Sequence, residues 1–207
     1  MRVIAGRFRS RVLQAPAGIA TRPSSDRLRE TLFNVLTPRI DGARFLDLYA
    51  GSGAVGIEAL SRGAAEVVFV ERAAAALTAL RANLEKLGIR AEARVQAGTV
   101  RAFLGRTEGP FDVVFLDPPY DAAEEYESTL RILGTRNRSP KSQNRDLGHP
   151  QNVAGAGIEG ILAEGALVVV EHRRKDRLED RYGDLTRTRL LQQGDAALSF
   201  YQRASAT

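Results

Sequence analysis

The chain has 207 residues, 43% of them apolar, with no cysteine and a formal net charge of +5. That length suits one α/β domain with a small appendage, and the lack of cysteine excludes disulfides, thiolate metal sites and a cysteine nucleophile. No apolar run approaches the roughly 18–20 residues of a membrane span, and Met1-Arg2-Val3-Ile4-Ala5-Gly6 is too short and broken for a signal peptide, so a cytoplasmic protein is expected.

The charge is almost wholly arginine, since the lysines are Lys86, Lys141 and Lys175. Arg2, Arg7, Arg9 and Arg11 open the chain with no acidic residue among them, which suits a phosphate backbone. Residues 1–15 predict two short strands of a hairpin-like arm. Ser24, Ser25 and Asp26 are N-cap candidates for a helix. Its apolar stripe is Leu28, Leu32, Val35 and Leu36, and Pro38 is expected to end it. Arg22, Arg27, Arg29 and Asn34 fall on its other, solvated faces.

A first core strand, Arg44–Tyr49, runs into Ala50-Gly51-Ser52-Gly53-Ala54-Val55-Gly56. Glycines there let the backbone turn tightly and bring amide N–H groups and a helix N-terminus to a ligand. A helix to about Arg62 precedes a second strand, Glu66–Val70, closed by Glu71. The spacing from Gly51 to Glu71 is that at which an acidic side chain meets a ribose held over the loop. A helix over 73–87 and a third strand, Ala91–Gln96, follow.

The fourth strand carries the most informative stretch, Phe111-Asp112-Val113-Val114-Phe115-Leu116-Asp117-Pro118-Pro119-Tyr120. Its apolar half reads as a strand buried on both faces. Two prolines then stiffen the chain and hold Asp117 and Tyr120 at the carboxyl end of the strand, the edge at which open α/β sheets bind ligands. An acidic helix over 122–133 follows, with Glu124, Glu125 and Glu127 on one solvated face. Residues 134–157 are polar and basic, and predict a mobile insertion. Structure is expected to resume with Ile158–Ala163 and the strand Ala166–Val170. A terminal hairpin then pairs Leu185–Leu191 with Ala196–Gln202. His149 reads as solvated and His172 as a surface residue.

The glycine loop matches G-x-G-x-x-G, so an NAD-type oxidoreductase competes as a reading. Against it, Asp47 lies where a carboxylate reaches a cationic ligand, and no large second domain follows. The segments Asp47-Leu48-Tyr49-Ala50-Gly51-Ser52-Gly53 and Asp117-Pro118-Pro119-Tyr120 together resemble the class I S-adenosylmethionine-dependent amino-methyltransferases. More narrowly, the chain resembles the RsmD family, which methylates guanine N2 in bacterial 16S rRNA. That likeness extends to Arg22-Pro23, Asp26-Arg27, Arg29-Glu30-Thr31-Leu32-Phe33-Asn34, Gly56-Ile57-Glu58-Ala59-Leu60-Ser61-Arg62-Gly63-Ala64 and Tyr201-Gln202-Arg203.

The resemblance implies a Rossmann-like, mostly parallel seven-stranded sheet with a C-terminal antiparallel hairpin. It divides the chain into an N-terminal arm and helix (1–42) and a methyltransferase domain (43–207). It implies S-adenosylmethionine as cofactor, held by Arg22, Pro23, Asp47, Tyr49, Ala50, Gly51, Ser52, Gly53, Gly56, Glu71, Arg72, Gly98 and Thr99. Catalysis falls to Asp117, Pro118, Pro119 and Tyr120, with Tyr120 stacking on the base. Arg7, Arg9, Arg11, Arg27 and Asn34 are the expected contacts to 16S rRNA, free or in a small-subunit particle. No metal is required, and a monomer is expected. Gly98 stands where the family carries an acidic residue, so adenine recognition must lean on Ala97, Thr99 or backbone. DNA adenine-N6 or cytosine-N4 methylation, and a catalytically silent RNA-binding protein, are the other readings.

Overall fold

Strands whose apolar residues run without a break are built to be covered on both faces. The computed structural model, which describes residues 1–16, 23–106, 109–119, 123–135 and 160–203, has that layering. Its elements are α1 (Pro23–Ile40), β1 (Arg44–Leu48), α2 (Ala54–Ser61), β2 (Glu66–Glu71), α3 (Ala74–Lys86), β3 (Ala93–Ala97), α4 (Val100–Leu104) and β4 (Phe111–Leu116). They continue with α5 (Ala123–Gly134), β5 (Leu162–Arg173), β6 (Arg181–Tyr182), β7 (Leu185–Gln193) and β8 (Ala196–Arg203). One eight-stranded sheet runs β3-β2-β1-β4-β5-β8-β7-β6. Its strands are parallel from β3 to β5 and antiparallel from β8 to β6.

Side chains alternate across this sheet. Phe45, Phe69, Phe115 and Val169 pack with Leu32, Phe33, Ile57 and Leu80 of α1, α2 and α3. Leu46, Val68, Leu116 and Val170 pack with Phe103 of α4 and Leu130 of α5. Among the described residues, 1–42 form no separate core, because Val3, Leu13 and Leu36 share the first of these clusters with the sheet. The chain leaves β1 toward β2 and β3 and returns to β4 on β1's other side. The carboxyl ends of β1 and β4 therefore flank a switch point, where open α/β sheets form their binding crevice.

Several local expectations are corrected. A two-residue β6 adds an eighth strand to the seven expected. Pro38 lies inside α1; the carbonyl it leaves without a donor belongs to solvent-exposed Asn34, where water can replace the bond. Residues 162–163 and the piece 166–170 belong to one strand from Leu162, whose register jumps from Phe111↔Leu162 to Val113↔Leu167, while 158 and 159 lie outside the described residues. That bulge contains Gly165 at φ +69. His172 is buried at 3% exposure. Its Nδ1 lies 2.9 Å from the Arg173 carbonyl and so carries the proton, leaving Nε2 to accept from Ser199 Oγ at 2.9 Å. His149 and residues 136–157 of the insertion lie outside the described residues.

The arm is a loop closed by one antiparallel bridge, Arg2↔Val12, rather than a strand pair, and α2 holds it. Buried Glu58 accepts from the N–H groups of Ile4 at 2.7 Å and Ala5 at 3.0 Å, and from Arg62 Nε at 2.7 Å. Ser61 accepts Phe8 N–H on its hydroxyl and Arg7 N–H on its carbonyl. A Cβ at Gly6 would stand 1.7 Å from that carbonyl, so only glycine passes. Removing the carboxylate in Glu58→Ala strands buried donors and an arginine, a loss of about 3–5 kcal/mol. Urea unfolding should register that loss, and the amides of Ile4 and Ala5 should lose hydrogen-exchange protection. Unchanged protection at those two amides would remove Glu58 as the anchor.

Candidate active site

The crevice is built from the carboxyl ends of β1, β2, β4 and β5. After β1 the chain bends sharply at Tyr49, a non-glycine residue at φ +64. Such a conformation costs of order 1–3 kcal/mol unless its surroundings enforce it. Here the Tyr49 hydroxyl does so, bonding to Glu125 Oε2 at 2.6 Å and Thr129 Oγ1 at 3.0 Å on α5. Glu125, expected on a solvated face, is therefore a structural acceptor, and Arg72 lies 3.7 Å from its other oxygen. Gly53, at φ +80, turns the loop into α2 so closely that a Cβ would meet Leu80 Cδ1 at 2.3 Å. Ala50 and Ser52 are buried, and the Ser52 carbonyl accepts from Asn83 Nδ2 at 3.0 Å.

Two carboxylates fix this loop. Glu71 Oε2 accepts from Gly51 N–H at 2.8 Å, while Oε1 accepts from the N–H groups of Arg72 at 2.7 Å and Ala73 at 2.8 Å. Gly98 N–H reaches the Glu71 carbonyl at 2.9 Å, bringing the loop after β3 alongside. Thr99 caps α4 by accepting Ala102 N–H at 3.2 Å. Asp47 was read as facing a cationic ligand, yet it is 1% exposed and accepts Gly56 N–H at 2.9 Å. What it holds is the start of α2.

Asp117 follows β4, with Pro118 buried behind it. Asp117 is exposed to the crevice, and partial desolvation by the surrounding protein pushes its carboxyl up to about 7. Beside it stands Glu171, which the sequence reading passed over. The register Leu116↔Val170 makes the two acids neighbours across β4 and β5. Burial raises the Glu171 carboxyl well above its ordinary range, the Asp117 charge adds to that, and Arg29 of α1 opposes it. Arg29, expected on a solvated face, is 5% exposed. Glu171 carried a readable signal, since it closes the apolar run of its strand as Glu71 and Asp117 close theirs.

The remaining expected residues divide. Arg27 is exposed on α1 one turn before Thr31, whose hydroxyl donates to Gln193 Oε1 at the β7–β8 hairpin. It therefore stands on the rim of the crevice. Asn34 is exposed two turns further down α1. Arg7, Arg9 and Arg11 are not brought to the crevice. Arg7 pairs with Glu92, which precedes β3, and its backbone is tied to the last residue of α2. Both partners mark the amino edge of the parallel sheet, opposite Asp117. Arg22 and Tyr120 lie outside the described residues, as does the side chain of Pro23.

Comparison with known proteins agrees with this geometry. Residues 1–142 match the family model described as conserved hypothetical protein 95. Over 203 residues the chain is 34% identical to ribosomal RNA small subunit methyltransferase D of Escherichia coli K12, covering 98% of this chain and 90% of that one. It is 35% identical over 206 residues to YlbH of Bacillus subtilis, provisionally an rRNA methyltransferase, covering 98% and 99%. The solved structure of yhhF from Escherichia coli superposes with a TM-score of 0.77 at 33% identity, covering 100% and 99%.

Asp47 provides a test of the loop's electrostatics. Burial lifts its carboxyl from 3.8 to about 8, and the nearby charges of Asp117 and Glu71 add to the effect. Between those values the folded protein keeps a proton that the unfolded chain has released, so this group makes stability fall as pH rises from about 4 to about 8. Asp47→Asn retains an acceptor for Gly56 N–H. It should flatten the slope of unfolding free energy against pH by up to about one proton across that window. A slope equal to wild type would mean that Asp47 titrates as in water.

Proposed function

As the chain belongs to the conserved hypothetical protein 95 family, known also as the RsmD family, we propose that it transfers a methyl group from S-adenosylmethionine to the exocyclic N2 of a guanine in 16S rRNA. One observation carries this reading: the glycine loop, Glu71 and the Asp117-Pro118 corner converge on one crevice at the switch point of the sheet. The residues present fit the cofactor. A Cβ at Gly51 would meet nothing within 4 Å, so the loop opens onto free space. The Glu71 carboxylate has about four acceptor positions, of which backbone donors use three, leaving capacity for a ribose hydroxyl. Asp117 and Glu171 form an acidic floor where the target amine would lie.

When bound, the cofactor supplies an electrophilic methyl group on a positively charged sulfur. The chain's own residues act on the amine. A guanine N2 is a poor nucleophile because its lone pair is delocalised into the ring. The Asp117 carboxylate and the Pro118 carbonyl can each accept one of its N–H bonds, which favours a pyramidal nitrogen and aims the lone pair. Holding reacting atoms at near-attack geometry can supply roughly 7–11 kcal/mol. Stabilising the charge that develops on nitrogen supplies more, and Asp117 is the anion placed for it. Glu171 is raised by burial and by the Asp117 charge, so the two acids titrate as a pair, and the form in which Asp117 is ionised is the one able to act on the amine.

Two measurements test these roles. Asp117→Ala should keep cofactor binding by calorimetry while single-turnover methylation of 16S rRNA falls by several orders of magnitude, and a near wild-type rate would end the assignment. Because the ionised form of Asp117 is the active one, the wild-type rate should also decline as pH drops below about 7. Glu71→Ala should instead weaken cofactor binding by about 1–3 kcal/mol through lost hydrogen bonds. Unchanged affinity in the same calorimeter would take Glu71 out of the cofactor site.

A further inference from the structure

We propose that the turn after β5, carrying Arg174, Lys175 and Arg177, together with Arg27 of α1, is the surface that docks the phosphates flanking the target base. The inference rests on the rRNA reading and moves RNA docking from the arm to the crevice's own edge. β5 is parallel to β4, and its register continues past Asp117's neighbour Glu171. It runs on through His172 and Arg173, which pair with Ala197 and Ala196 of β8. Two residues of strand rise by about 7 Å, so the turn stands just above the acid pair, on the rim.

This turn is held in place. Asp176 N–H bonds to the Arg173 carbonyl at 2.9 Å, and Arg174 N–H bonds to the Asp195 carbonyl of the β7–β8 hairpin at 2.8 Å. Arg174, Lys175 and Arg177 are exposed, and none makes an ion pair among the described residues. Arg27 lies one turn before Thr31 on α1, and the Thr31 hydroxyl stands 3.2 Å from Gln193 Oε1 of the same hairpin. Asp176 and Asp195 lie beside these cations; of the acids further along each element, Asp180 is paired with Arg187 and Asp26 with Arg29, which leaves Glu179 and Glu30 at the margins. Cations on a fixed turn can hold a phosphate in register, whereas the acidic floor below repels phosphate and admits only the neutral base. Arg7, by contrast, is paired with Glu92 on the opposite edge.

The test compares Arg174→Ala/Lys175→Ala/Arg177→Ala with Arg9→Ala/Arg11→Ala, on 16S rRNA transcript and on small ribosomal subunits from cells lacking this gene. Each lost phosphate contact should lower the slope of log K against log salt by about one. The triple variant should therefore lose about two to three units of slope and raise KM for RNA tenfold or more at physiological salt. Its kcat at saturating RNA and its cofactor affinity should stay within about threefold of wild type. The charge-preserving variant Arg174→Lys/Arg177→Lys should keep the wild-type slope. A triple variant that binds RNA as wild type does, with the wild-type enzyme active, overturns this proposal alone. A wild-type enzyme that methylates neither substrate overturns the rRNA reading and the proposal with it.

Discussion

One buried positive charge organises the face of the sheet on which the site is built. Arg29 donates through Nη2 to the Arg2 carbonyl at 2.6 Å and to Asp26 Oδ1 at 3.0 Å. Its Nε lies 3.9 Å from Glu58, and its charge reaches Glu171. Without it, Glu58 would keep Arg62 and its two backbone donors, whereas Glu171 would face the Asp117 charge without the positive charge that opposes it. The same guanidinium thus ties the arm to α1, answers the carboxylate that anchors the arm to α2, and moderates the acid next to Asp117. A loss at Arg29 would not be confined to one of these, because removing one partner of a buried ion pair leaves the others uncompensated.

Much of the sheet was legible because its signal is local. The runs Val67–Val70 and Val113–Leu116 are unbroken apolar stretches that suit a doubly covered strand, and Phe45–Leu48 is broken only by buried Asp47. Glycine and proline punctuated their ends correctly at Gly51, Gly53 and Pro118. What stayed hidden was structure too short to have a period, such as α4 with five residues and β6 with two. The continuity of β5 across Glu164 and Gly165 was hidden as well, since a bulge reads in sequence as a stop. The site was legible where a residue sits at a strand end, as Asp117 and Glu71 do. It was not legible where the function of a side chain depends on packing between distant elements. Arg29, Glu125 and His172 each carry a polar group that the sequence assigns to solvent. Each is instead met by a partner at a separation along the chain that no local pattern reports: Glu58, Tyr49 and Ser199.

The arm shows the same limit in another form. Clustered arginines announce an affinity for phosphate, but they say nothing of which edge of the sheet they occupy. That is decided by Glu58 and Ser61, which look in sequence like ordinary members of a helix. Because α2 descends from the glycine loop to the amino edge, docking the arm on its final turn carries Arg7 away from the crevice. Charge in the arm can attract a polyanion from a distance, within a Debye length of about 8 Å at physiological salt, but it cannot orient one at Asp117.

The crevice then has two electrostatic levels, set by how far each strand projects. At its floor lie Asp47 near the end of β1, Asp117 just after β4 and Glu171 within β5, whose mutual repulsion is relieved by protonation and, at Glu171, by Arg29. At its rim, the extra residues of β5 lift Arg173 and the turn beyond it clear of that floor. A nucleic acid carries its negative charge on the backbone and none on a guanine, so the two levels sort the parts of one nucleotide. Phosphate is favoured above and refused below, while the neutral base is the part that can descend to Asp117. Lowering the rim would bring cations to the acids and neutralise both, so the projection of β5 past β4 is what keeps the two functions separate.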